Sequence, residues 1–334
     1  MSAILATRPL GFVWDTEDPF LFCVHHDDAY PAGNDRLGPA ASLAGRDLGQ
    51  DFAGKDGWRM YHGREVPGFP AHPHRGFETV TLVRRGYVDH SDSLGATARF
   101  GRGDAQWLTA GEGIVHAEMF PLLDPGAPNP VELFQIWLNL PGADKMAPPH
   151  FTMHWGEGMP RIRRQGVELT VVAGPVEDAV PARPPPRSWA ARADTHVAIW
   201  ALRFDAGAAW TLPPAPAGVN RNLYVFAGGR LTVDGQPVAP PTGVKLRPEL
   251  PTPLRAAEGP VEALVLQGRP IAEPVVQYGP FVMNTPGEVQ QAYADYRRTR
   301  FGGWPFRREG PVHPAADGRF ARHADGRTER PEGG

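Results

Sequence analysis

The 334-residue chain has a single cysteine, Cys23, so no intramolecular disulfide framework can be drawn, as a reducing compartment permits. That thiol reads as a small buried hydrophobe rather than a reactive group. Long hydrophobic runs are missing too. No segment approaches the roughly 20 apolar residues that span a bilayer, and the opening MSAILATRPLGFVWDTEDPF holds no apolar stretch of signal-peptide length, so a cytoplasmic location away from membranes is expected. Neither sign of charge dominates: 34 Lys and Arg stand against 37 Asp and Glu, a formal net charge of −3, which gives no general reason to bind nucleic acid.

What is abundant is turn-forming sequence. The 39 glycines and 38 prolines separate short runs such as TVTLVR, VELFQIWLNL, VELTVVAG, HVAIWALRF, RNLYVFAGG and VEALVLQG, a spacing that predicts an all-β sandwich or barrel. One helix is signalled, in TPGEVQQAYADYRRTRFGG. Thr285 is its N-cap, Pro286 its first residue and Glu288 the partner of a capping box, with Arg297, Arg298 and Arg300 in the last turn and Gly302 and Gly303 as terminators. Val289, Ala292, Tyr293 and Tyr296 form its apolar stripe.

At 334 residues two domains are expected. Strand alternation lapses between Leu140 and Arg164 and resumes at VELTVVAG, which places one domain over residues 1–150 and a second over 151–306, ending in the helix. Residues 307–334 are rich in Arg, Gly, Pro and Asp and almost free of aliphatics, and read as a flexible extension. The segment VPARPPPRS (180–188) reads as a stiff loop rather than a ligand for an SH3-type domain.

The chemistry concentrates in FPAHPHRGFETVTLVRRGYVDH, residues 69–90. Residues i and i+2 of a strand share a face, so His72 and His74 project side by side, about 6.6 Å apart along the strand, and two imidazoles could share one metal ion. Continued through the run, this parity groups His72 and His74 with Glu78, Val80 and Leu82, and sets Phe77, Thr79, Thr81 and Val83 on the other face. A second stretch, GRGDAQWLTAGEGIVHAEMF, offers His116 and Glu118 at the same spacing after glycine turns at Gly101, Gly103, Gly111 and Gly113. Two such pairs converging in one barrel would give three imidazoles and a carboxylate. That set suits iron(II), manganese, nickel, copper or zinc, and in octahedral geometry leaves two positions open for catalysis. Glu78 reads either as a fifth ligand or as a group orienting a histidine. HHDD at residues 25–28 reads as a solvated loop, since neighbours on a strand face opposite ways.

These motifs resemble those of the cupin superfamily, and HPHRGFETVT, DAQWLTAGEGIVHAEM, LFQIWLNLP and GPFVMNT, in that order, are similar to the pirin family from about Gly49 to Trp304. The resemblance implies two tandem cupin β-barrels, with one metal in the first barrel held by His72, His74, His116 and Glu118. Iron(II) is the first expectation and Mn, Ni, Cu and Zn are the alternatives. It also implies that Phe69 and Gln135 line the approach to the ion, and that the second barrel is without metal. There PAGVNRNLYVFAGG puts Asn220 and Asn222 where histidines would be needed.

The activity implied is that of a quercetin 2,3-dioxygenase, a monomer opening the central ring of a flavonol with O2 and releasing carbon monoxide. Glu118 would be both ligand and proton acceptor. The family's regulatory members imply the alternative, a metal-dependent module acting on a transcription factor or a metabolic enzyme.

Overall fold

The computed structural model describes residues 2–332; Met1 and residues 333–334, the outermost ends of the expected first domain and tail, lie outside the described residues. Among the described residues the regular secondary structure is almost entirely antiparallel β-strand, with one α-helix, Pro286–Thr299. It forms two compact units that are not simple halves. One contains residues 1–24, 136–141 and 158–272, the other residues 25–135, 142–157 and 273–334.

This differs from a division near residue 150, and strand pairing gives the reason. The strand Ile4–Pro9 pairs with Thr242–Leu246, so the amino terminus belongs with the second set of strands. The tail joins the other unit. Its strand Phe320–Arg322 pairs with Thr97–Gly101 in the register Phe320↔Arg99, Ala321↔Ala98 and Arg322↔Thr97, and Phe320 and Ala321 are buried. Residues 307–332 are therefore a packed strap and not a flexible extension. The open edge of Thr97–Gly101 supplies backbone partners that composition does not register.

Arg99 clamps this strap. It is fully buried, donates from Nε and Nη2 to the two carboxylate oxygens of Asp89 at 2.7 Å each, and also donates to the carbonyls of His313 and Pro314. Deleting residues 307–334 should break these bonds and open the strand edge, lowering the unit's thermal midpoint by about 5 °C or more. Differential scanning calorimetry of the truncated chain checks this, and an unchanged thermogram would show that the strap contributes nothing.

In the unit holding the tail, one sheet runs through Phe320–Arg322, Thr97–Gly101, Tyr87–Asp92, Ile114–Met119 and Gly68–His74. A second sheet places His150–His154, Ala105–Thr109, Phe77–Arg85 and Val131–Asn139 side by side. Val83, Leu108, Val131 and Leu133 of the second pack with Val88, Ala98, Phe100 and Ile114 of the first in one apolar core. The other unit repeats the plan. Its seven-stranded sheet and four-stranded sheet enclose a core that includes Trp200, Leu223, Val225, Leu231, Leu254 and Val265. Cys23 is a fully buried thiol, as its strand context required.

The helix forms as its caps dictate. The Thr285 side chain accepts from the Glu288 backbone N–H while the Glu288 carboxylate accepts from the Thr285 N–H at 2.8 Å. Val289 and Ala292 are buried, and Tyr293 packs edge-on against Phe281 at 4.7 Å. Asp295 on the same helix accepts from Arg75 at 2.9 Å, which pins the residue next to His74.

HHDD is not a loop. The strand Phe20–Asp28 runs through it, so alternate residues His26 and Asp28 are buried while Asp27 is exposed. Tyr61 Oη donates to Asp28 at 2.6 Å and sits 2.8 Å from His26 Nδ1, and Arg59 pairs with Asp28 at 3.1 Å. The preceding His25 contacts Glu132 at 3.0 Å, and Arg84 and Arg85 converge on the same carboxylate.

Burial would raise the Glu132 carboxyl, but the His25 ring and the two guanidiniums outweigh it and hold its pKa down at about 2. A depressed folded-state carboxyl contributes stability that is present above its unfolded value of 4.5 and is lost as pH falls toward 2. Glu132→Gln should therefore be less stable than the parent at neutral pH, with the gap closing below pH 4.5. Denaturant midpoints measured at neutral pH and through this acid window test it; a gap that does not change with pH would sink the assignment.

Candidate metal centre

The site is built on the pair Gly68–His74 and Ile114–Met119. Their antiparallel register sets His72 opposite His116 and Phe69 opposite Glu118, with an irregularity between Phe69 and His72. Gly68 permits the approach: its φ is +125°, and a Cβ there would lie 2.4 Å from the Glu118 carbonyl oxygen. Gly113 shapes the entry to the second strand, with φ +137° and space for a Cβ filled by the Phe301 ring at 2.6 Å.

The three imidazoles converge. Ring centroids are 4.5 Å apart for His72 and His116, 4.7 Å for His72 and His74, and 4.9 Å for His74 and His116. One nitrogen from each lies within 4.8 Å of the others. His72 Nδ1 sits 2.8 Å from the Pro70 carbonyl and His74 Nδ1 3.4 Å from that of Pro280. A proton on Nδ1 directed at a carbonyl leaves Nε2 with its lone pair for an ion. Both ring nitrogens of His116 are buried without a hydrogen-bond partner.

Burial pushes the His72 pKa down to about 4 and those of His74 and His116 well below the usual imidazole range. Three neutral, converging imidazoles, one with its ring nitrogens unsatisfied, form a donor set that fits a divalent transition metal.

Glu118 stands beside this cluster rather than in it. Its carboxylate accepts from Gln135 Nε2 at 2.6 Å and lies 2.8 Å from Thr81 Oγ1. Burial raises its pKa, against the lowering effect of the Thr81 hydrogen bond. Phe69, His72 and Gln135 are half-buried, whereas His74, His116 and Glu118 are buried, so the first three form the outer side of the site. The Phe69 ring is 6.4 Å from that of His72.

Glu78 is elsewhere. It faces Thr109 across the strand pair and accepts the Thr109 hydroxyl at 2.6 Å. The chain breaks between the two strands at Gly76, whose φ is +87°, so the parity of His72 and His74 does not carry into Phe77–Arg85. The face turned toward the histidines is the one bearing Phe77, 5.0 Å from His74, and Thr81. His90 also belongs to this neighbourhood. It is fully buried opposite Glu118, 5.6 Å from the His116 ring, with Nε2 3.1 Å from Asp92. The alternation in YVDHSD, with His90 and Asp92 two apart beside another polar strand, was the available signal.

The pirin family model matches residues 14–138, and that of the pirin C-terminal cupin domain matches residues 199–302. A Pseudomonas aeruginosa protein provisionally named quercetin 2,3-dioxygenase is 42% identical over 236 residues, 70% of this chain and 79% of that protein. The chain belongs to the pirin family. Human pirin is 33% identical over 255 residues, 72% of this chain and 80% of its own length. The crystal structure of a quercetin 2,3-dioxygenase from Acinetobacter baumannii superimposes with a TM-score of 0.72 at 27% identity, covering 91% of this chain and 99% of that one. As a pirin-family member the protein is a bicupin. No helix among the described residues is long and apolar enough to cross a membrane.

Proposed function

We propose that this pirin-family protein is a metal-dependent dioxygenase that opens flavonols with O2, with iron(II) as the resident ion. The observation that carries the proposal is the cluster of three neutral imidazoles within 4.8 Å, with His116 satisfied by no protein group. The quercetin 2,3-dioxygenase names of the Pseudomonas and Acinetobacter relatives support the choice of reaction.

His72, His74 and His116 would hold the ion, with Glu118 as the fourth ligand. A divalent ion held there would supply Lewis acidity that lowers the pKa of a phenol bound to it. Glu118 would take the flavonol 3-hydroxyl proton. Gln135, already 2.6 Å from it, orients the carboxylate and returns a hydrogen bond as the proton moves. Phe69 offers an aromatic face at the entrance, and the packing of His26, Tyr61 and Phe120 around it holds that ring in place.

The test is anaerobic purification with metal analysis, followed by oxygen-electrode assays against a flavonoid panel. O2 consumption with a flavonol, absent from metal-free protein, supports the reading. A fully loaded protein that consumes none with any flavonol overturns it and turns attention to a regulatory role.

A further inference from the structure

The second barrel contains a buried arginine with no counter-ion. Arg221 lies opposite Gln267 in the pair Asn220–Gly228 and Val261–Gly268. It shares strand parity with Leu223 and Val225, and Gln267 with Val265 and Ala263, all four members of the barrel core. The asparagines expected to replace metal ligands face the other way: Asn220 donates to the Asp18 carbonyl at 2.7 Å and Asn222 to Glu17 at 3.1 Å. The inward position that continues the core toward the barrel mouth is therefore occupied by a guanidinium.

Arg221 is 1% exposed. Its Nε donates to Gln267 Oε1 at 2.7 Å and its Nη1 to the Pro213 carbonyl at 2.8 Å, while Gln267 Nε2 is fixed by the His196 carbonyl at 3.1 Å. These partners are neutral, and no carboxylate of the described residues pairs with it. Buried Arg99 and Arg75, by contrast, each have an aspartate.

Burial lowers the Arg221 pKa to about 10, which leaves it charged at neutral pH. A buried cation without an anion costs several kcal/mol, and a chain of this size gains nothing structural from it that an apolar residue would not supply.

Arg221 and Gln267 both line a cavity of about 450 Å³, within the range that takes small organic ligands. Its other walls include Val176, Trp200 and the proline-rich loop at Val180, Pro181 and Pro184, with Glu177, Arg183 and Arg192 also on the lining. The Trp200 indole N–H is already bonded to the Gly174 carbonyl at 2.8 Å, so the ring offers the cavity only apolar surface.

We propose that the mouth of the second barrel binds a small aromatic monocarboxylate, its carboxylate on Arg221 and its ring between Trp200 and the proline-rich loop. The N–H groups of Arg221 that Gln267 and Pro213 leave open match a planar carboxylate, Arg183 and Arg192 on the same lining add positive charge, and Val176, Trp200 and the prolines give a ring-bearing ligand apolar contact that an inorganic anion cannot use. The site is independent of the reaction at the histidine cluster.

Isothermal titration of the full-length, metal-loaded protein with benzoate and cinnamate tests this, with benzamide, cinnamamide and inorganic phosphate in parallel. Both carboxylates should bind at least about 10-fold more tightly than their amides and than phosphate. Arg221→Met, which keeps the bulk and removes the charge, should lose that advantage while melting at or above the parent temperature. Carboxylate binding directed by the histidine-cluster metal would survive this substitution.

Should Arg221→Met fail to fold, Val180→Trp decides instead. Val180 lies on the cavity lining and is 70% exposed, so a bulky ring there narrows the cavity without disturbing the core, and it should weaken carboxylate binding. Carboxylates binding no better than amides or phosphate, or binding undiminished in the folded variant, overturns the proposal.

Discussion

His116→Ala should leave the protein folded and nearly metal-free, the largest effect expected of any single substitution at the histidine cluster. The imidazole makes no hydrogen bond through either ring nitrogen, so its removal breaks no polar contact. Relief of two unsatisfied buried nitrogens offsets part of the cost of the cavity, and the net change should stay within roughly 1–2 kcal/mol. The donor set, by contrast, falls from three imidazoles to two. Metal content per chain, measured after dialysis against a weak chelator, should drop from about one equivalent to a small fraction. Far-ultraviolet circular dichroism should be unchanged. Full occupancy in the variant would mean that the ion is not held where the three rings meet.

Glu118→Gln should separate holding the ion from moving the proton. The glutamine can keep both neighbours: its carbonyl oxygen accepts from Thr81, and its amide donates to Gln135 once the Gln135 amide turns over, the 2.9 Å bond from Thr81 Oγ1 to Gln135 Oε1 then being replaced by one from Gln135 Nε2 to Thr81 Oγ1. The fold and most of the metal should therefore survive. A neutral amide cannot accept the flavonol proton, so turnover at matched metal loading should fall about 10²-fold or more, the usual range for loss of a general base. Because the comparison is made per bound metal, weaker binding cannot imitate the effect. Near-normal turnover in the loaded variant would remove Glu118 from proton transfer.

Local sequence determined a good deal of this protein. The period of two in HPH and HAE put each pair on one strand face, and the histidines of those pairs are the ones that meet. The Thr285–Glu288 box and the proline after it fixed the start of the helix because caps are satisfied within four residues. Gly/Pro spacing fixed the all-β class, and the order of long motifs fixed the family. Each of these depends on contacts between residues close in the chain, or on text that recurs among relatives.

Tertiary structure decided what parity and composition leave open. Alternation says which residues share a face and not which face is inside, so Thr81 rather than Glu78 faces Glu118 once Gly76 breaks the strand, and Arg221 rather than Asn220 or Asn222 enters the second barrel. HHDD is polar text, yet its alternate members are buried because Tyr61, brought in from 33 residues beyond Asp28, satisfies both His26 and Asp28. The strap at 307–332 is almost free of aliphatic residues, but a sheet edge needs backbone donors and acceptors, which any sequence carries, and one buried arginine in the Thr97–Gly101 strand collects its carbonyls. In all of these the partner lies far away in sequence, and the energy that fixes the arrangement is that of satisfying a buried polar group, which no local pattern encodes.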